Sequence, residues 1–200
     1  MEKETSRSKI YLASLGLALG IAALTWGLLH QFSQQGDDHA HDDAQGMEAN
    51  QVDLGVGSVL PNLSLKDLSQ KSVKLSDIQG KVTLINFWAT WCESCLVEMP
   101  SIQKLYDRYK DTGLQVIAVS LDEPSTVEEV IPLIKQLKLS FPVFIDPEQT
   151  VSELLSISAI PITLVVDSDR RIVMIENGEK NWFSASIQTT FESWLNRNGS

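Results

Sequence analysis

Residues 82–89 read VTLINFWA, a nearly unbroken run of β-branched, aliphatic and aromatic side chains. A surface helix would interrupt such a run with polar residues every third or fourth position, and a half-exposed strand would alternate. The run therefore predicts a strand buried on both faces. A second run of the same kind, LQVIAVSL at 114–121, follows a stretch of helical pattern from about 93 to 110. Strand, crossover helix and strand make a parallel βαβ unit, and a strand covered on both sides needs helices in layers above and below it. An α/β layered sheet is the expectation.

The flanking sequence fits that frame. Short apolar alternations at 62–66 and 72–75, separated by DLSQK, predict an N-terminal hairpin, followed by a brief helical turn at 76–79 that Gly80 ends. Ser125 and Glu128 have the spacing of a capping box opening a helix to about 138, inside which Pro132 predicts a kink or an early break. A short strand at 142–146 and a short helix at 148–155 come next. ITLVVD (162–167) and RIVMIE (171–176), joined by SDR, predict an antiparallel hairpin. The last helix, 183–195, turns Ile187, Phe191, Trp194 and Leu195 inward. No internal repeat is visible.

Upstream of this domain, residues 10–29 contain no charged side chain. Twenty residues at about 1.5 Å per helical residue span the hydrocarbon core of about 30 Å, and HQFSQQ after Leu29 offers no small-residue cleavage site. The segment reads as a retained transmembrane anchor. Lys3, Arg7 and Lys9 precede it and no basic residue follows until Lys66, which places the amino terminus in the cytoplasm and the rest outside. The expected organisation is a cytoplasmic tail (1–9), the anchor (10–29), a flexible acidic linker (30–55) and one folded domain (56–200), held at a bacterial inner membrane. His39 and His41 in DDHAHDD could chelate a metal, but a two-residue spacing in a flexible segment sets no coordination geometry, and a solvated linker explains them as well. The net charge of −10, from 16 basic and 26 acidic residues, argues against a nucleic-acid ligand.

The chain has two cysteines, Cys92 and Cys95, too few for a disulfide-stapled mini-protein or a four-cysteine zinc site. They follow the first core strand where a helix begins, the end of an open α/β sheet at which active groups are presented. A helix amino terminus favours thiolate over thiol, so Cys92 is the expected nucleophile. Cys95, one turn deeper, is the expected resolving thiol. An inert structural disulfide is the alternative, weakened by the shortness of the loop it would close.

FWATWCESC, followed by Glu98 and Pro100 and later by Ala159-Ile160-Pro161-Ile162-Thr163, resembles the thioredoxin-like family, in particular its membrane-tethered TlpA/ResA/CcmG branch, over residues 56–197. LSDIQGK at 75–81 and the helix-strand segment around 123–146 match that branch as well. The resemblance implies a thioredoxin-like fold with an N-terminal hairpin and a central helix-strand insertion. It implies that Pro161 is a cis-proline beside the active-site disulfide, next to a backbone edge that an extended substrate can pair with. Glu98 matches an acid of the tethered branch and would accept the proton of the resolving thiol. Trp88, Trp91, Ile160, Ile162 and Thr163 fall at the implied docking face, although packing would equally account for the tryptophans. Two departures stand out: Asn86 replaces the buried aspartate of thioredoxins proper, and Ser94 replaces the usual proline between the cysteines.

The implied activity is that of a tethered thiol-disulfide oxidoreductase without a cofactor or metal. It would reduce disulfides in extracytoplasmic clients such as apocytochrome c or copper-site proteins, recharged by a transmembrane donor of the CcdA/DsbD type. The alternatives are a disulfide oxidase or isomerase, a copper(I)-binding assembly factor using the two cysteines with His39 or His41, and a peroxidase, which would need one peroxidatic cysteine beside Thr and Arg.

Overall fold

The computed structural model describes Val52 and residues 54–197, all within a unit spanning 48–200. The expected tail, the anchor at 10–29 and nearly all of the linker, with His39 and His41, lie outside the described residues. Among the described residues no helix is long and apolar enough to cross a membrane.

The apolar run becomes strand β3 (Val82–Trp88), buried at every position. The described strands form one mixed sheet. β4 (Leu114–Ser120) and β5 (Val143–Ile145) continue from β3 in parallel, while β6 (Ile162–Asp167) and then β7 (Ile172–Asn177) extend its other side antiparallel. The hairpin of β1 (Ser64–Asp67) and β2 (Ser72–Lys74) joins through β1 antiparallel to β5, so the order is β2-β1-β5-β4-β3-β6-β7.

Alternation along β3 divides the core in two. Val82, Leu84 and Trp88 pack with helix α1 (Glu93–Tyr109), helix α4 (Ala185–Arg197) and the inner side of helix α2 (Val130–Leu137). Ile85 and Phe87 face the opposite side, against Leu60, Leu63 and Leu75 and against Val151 and Leu155 at helix α3 (Thr150–Leu154). This division is why β3 has no polar stripe: neither of its faces meets water. The chain entering β3 passes so close to the turn before β4 that a Cβ at Gly80 would stand 2.5 Å from the Gly113 carbonyl oxygen. Only glycine fits there.

The helix expected from Ser125 starts later. A 3₁₀ turn at Val127–Glu129 leads into α2, which has no side-chain cap. Beginning at Val130 puts Pro132 in the first turn, where a missing N–H leaves no helical hydrogen bond unmade, so the proline neither kinks nor breaks the helix. In α4, Ile187, Phe191 and Leu195 are buried as expected. Trp194 is only half-buried and packs edge-on against Phe191, with ring centres 5.2 Å apart.

Candidate active site

The turn between β3 and α1 ends at Cys92, with Cys95 in the first turn of the helix, and a buried carboxylate anchors it. Asp122, fully buried just past β4, accepts the Thr90 backbone N–H at 2.9 Å and the Thr90 hydroxyl at 2.5 Å. The Ser120 hydroxyl donates to the same carboxylate at 2.7 Å. The Leu121 N–H donates to the Trp88 carbonyl at 2.8 Å, so the ladder runs to the end of the strand. Sequence reasoning passed over Asp122, although an acid directly after an apolar strand was the visible signal.

Beyond this turn Cys92 is the N-cap of α1, with extended backbone (φ −90°, ψ 99°), and its sulfur accepts the Cys95 N–H at 3.3 Å. The Ser94 hydroxyl is 3.6 Å from the same sulfur. Cys92 and Cys95 are joined in a disulfide. Of the two sulfur-bearing residues, Cys92 keeps 7 % exposure and Cys95 none. Once the bond is opened, Cys92 is thus the one that a second protein reaches, and it sits where unpaired amide donors and the helix dipole favour a negative sulfur.

One turn past Cys95, Glu98 also points inward and is 1 % exposed, not the surface glutamate that its charge alone would suggest. Its Oε1 accepts from Asn86 Nδ2 at 2.7 Å, and its Oε2 accepts from Trp182 Nε1 at 3.1 Å and the Lys180 N–H at 3.2 Å. Burial pushes its pKa up from the ordinary carboxylate value of 4.5; the donors from Trp182, Asn86 and Lys180 oppose that without cancelling it, and Glu179 adds a smaller upward push. Asn86 Nδ2 donates a second time, to Thr163 Oγ1 at 2.9 Å, across the β3–β6 register that sets the two residues opposite each other. Asn86, Lys180 and Trp182 were not expected to take part. The Glu98 carboxylate thus reaches the side chain of position 86 from the facing helix.

The expected docking residues separate into two groups. Trp91 is 66 % exposed and, with Leu121, Glu123, Thr126, Gln149 and residues 157–160, lines an open cleft of about 650 Å³. The Ile160–Pro161 bond is cis, and Ile160 and Ile162 are half-buried. Trp88 and Thr163 are not on a docking face. Trp88 is fully buried in the core beneath α1, and Thr163 is 1 % exposed with its hydroxyl engaged by Asn86. Both face the helix layer because strand alternation puts them on the same side of the sheet as Asn86. Among the described residues no cluster of three or more His, Cys, Asp or Glu side chains could hold a metal.

A mixed sheet with an N-capping cysteine bonded to a second one turn on, an inward acid and a cis-proline ahead of the facing strand define a thioredoxin-like thiol-disulfide oxidoreductase. The chain belongs to the AhpC/TSA family, which matches residues 56–175. It is 36 % identical over 136 residues to the thiol-disulfide oxidoreductase ResA of Bacillus cereus, covering 68 % of this chain and 78 % of that one. It is 32 % identical to ResA of Bacillus subtilis, over 65 % of this chain and 72 % of the relative. Among solved structures, the thioredoxin domain of a thiol-disulfide oxidoreductase from Bacteroides vulgatus superposes with a TM-score of 0.61 at 29 % identity, covering 71 % of this chain and 99 % of that one.

Proposed function

We propose that this oxidoreductase works as a reductase outside the cytoplasmic membrane, tethered by residues 10–29, with cysteine-bearing clients such as apocytochrome c or proteins that build copper sites. The observation that carries the reading is the asymmetry of the pair: an N-capping Cys92 that keeps 7 % exposure over a fully buried Cys95. In the reducing direction the Cys92 thiolate attacks one sulfur of a client disulfide. The client S–S bond breaks, its other sulfur leaves as a thiolate that takes a proton, and a mixed disulfide remains. Cys95 gives its proton to Glu98 and attacks the Cys92 sulfur, which expels the client's second thiolate and restores the Cys92–Cys95 bond. Two electrons have then passed to the client, and a transmembrane dithiol donor of the CcdA/DsbD type returns them.

The uncharged segment at 10–29, the basic residues before it and the acidic stretch after it support the tethered, outward placement. Trapping tests the reading. With Cys95→Ser in living cells, Cys92 is expected to accumulate mixed disulfides with extracytoplasmic proteins that dithiothreitol releases. Absence of such adducts, or adducts only with cytoplasmic proteins, would overturn it.

A further inference from the structure

Two donors converge on the Cys92 sulfur from the first turn of α1, and they differ in kind. The Cys95 N–H at 3.3 Å belongs to the backbone and is present whatever residues occupy the turn. The Ser94 hydroxyl at 3.6 Å is supplied by one side chain. Ser94 is half-buried, and among the described residues its hydroxyl makes no other hydrogen bond. A disulfide sulfur is an uncharged, weak acceptor, so this contact does little in the oxidised protein. A thiolate is a charged acceptor, and hydrogen bonds to charged groups are about twice as strong as neutral ones.

We propose that Ser94 is a catalytic residue of the exchange reaction, its hydroxyl donating to the Cys92 thiolate once the disulfide opens and so stabilising the reduced enzyme. The inference rests on the reading that Cys92 is the nucleophile. When a donor dithiol reduces the pair, the Cys92–Cys95 bond breaks and two electrons enter. Cys95 takes up one proton, the other is released to water, and the donor becomes a disulfide. The negative charge stays on Cys92, where the hydroxyl needs only a rotation about its own bonds to face it. A hydrogen bond made to the charged form alone lowers the thiol pKa and shifts the dithiol-disulfide balance toward dithiol. The residue between the cysteines therefore sets how strongly this protein reduces.

The test titrates Cys92 in full-length protein carrying Cys95→Ala, so that one thiol remains, by following thiolate absorbance at 240 nm against pH. Adding Ser94→Ala is expected to raise the midpoint by about one pH unit, a tenfold loss of thiolate at pH values below both midpoints, while Ser94→Thr keeps the hydroxyl and the original midpoint. With both cysteines present, at a pH above both midpoints where the thiolate predominates, Ser94→Ala is expected to move the equilibrium with glutathione about tenfold toward disulfide, about 30 mV more reducing. A midpoint unmoved by Ser94→Ala, or moved equally by alanine and threonine, overturns the proposal. If the unsubstituted protein exchanged with neither glutathione nor dithiothreitol, the reductase reading would fall, while the titration would still decide the role of the hydroxyl.

Discussion

At Glu98 the two forces that act on any buried acid can be read separately. Desolvation favours the neutral carboxyl, and Asn86, Trp182 and the Lys180 amide favour the ion; the first prevails, so the native pKa lies above 4.5. Between 4.5 and that raised value the folded protein holds a proton that the unfolded chain releases. Stability therefore falls as pH climbs through the window. Glu98→Gln is expected to remove this downward slope, as measured by urea unfolding at a series of pH values. Glu98→Ala strands three donors in the core and is expected to cost about 3 kcal/mol or more by the same assay. Neither the burial of Glu98 nor its partners was legible beforehand. Position 98 shares the inner face of the helix with Cys95 and Ile102, but Trp182 and Lys180 arrive from 82 or more residues away, and no local pattern reports that approach.

For the elements, the junction of β3, β4 and α1 decides whether the helix can present Cys92. Asp122 holds the Thr90 amide and hydroxyl together with the Ser120 hydroxyl, and this fixes the turn that ends at the cap. Asp122→Ala leaves one buried donor, the Ser120 hydroxyl, and two half-buried ones, the Thr90 N–H and hydroxyl, without their acceptor. It is expected to destabilise the fold by about 2–4 kcal/mol in urea unfolding. It is also expected to slow reduction of disulfide-bonded client-like peptides without moving the Cys92 titration midpoint, because the donors to its sulfur come from within α1. Strands and helices with strong periodicity were legible in place: β6 runs over the expected residues, 162–167. The start of α2 was not, since a capping box needs a helix beginning directly after Ser125, whereas a turn at 124–126 and a 3₁₀ turn at Val127–Glu129 come first and α2 begins only at Val130.

At the scale of the whole molecule, both core layers among the described residues are drawn from residues 60–195, and a chain cut above Val52 keeps every one of them. A chain starting at residue 52 is expected to unfold in one cooperative transition with the denaturant midpoint of the full-length protein, followed by tryptophan fluorescence. Ending the chain before Ala185 removes Ile187, Phe191 and Leu195 from the layer over Val82 and Trp182, and such a chain is expected to show no cooperative transition.

Local composition and spacing determined the class of fold, the places of the central strands and the redox pair, because burial on two faces, helix starts and thiol spacing are short-range properties. Tertiary structure alone decided that β5 lies between β4 and the N-terminal hairpin, that Trp88 packs inward while Trp91 faces solvent, and that an acid on α1 meets an amide on β3 and an indole near the C-terminal helix. Those outcomes depend on which distant segments exclude water together, and that is settled only when the layers close.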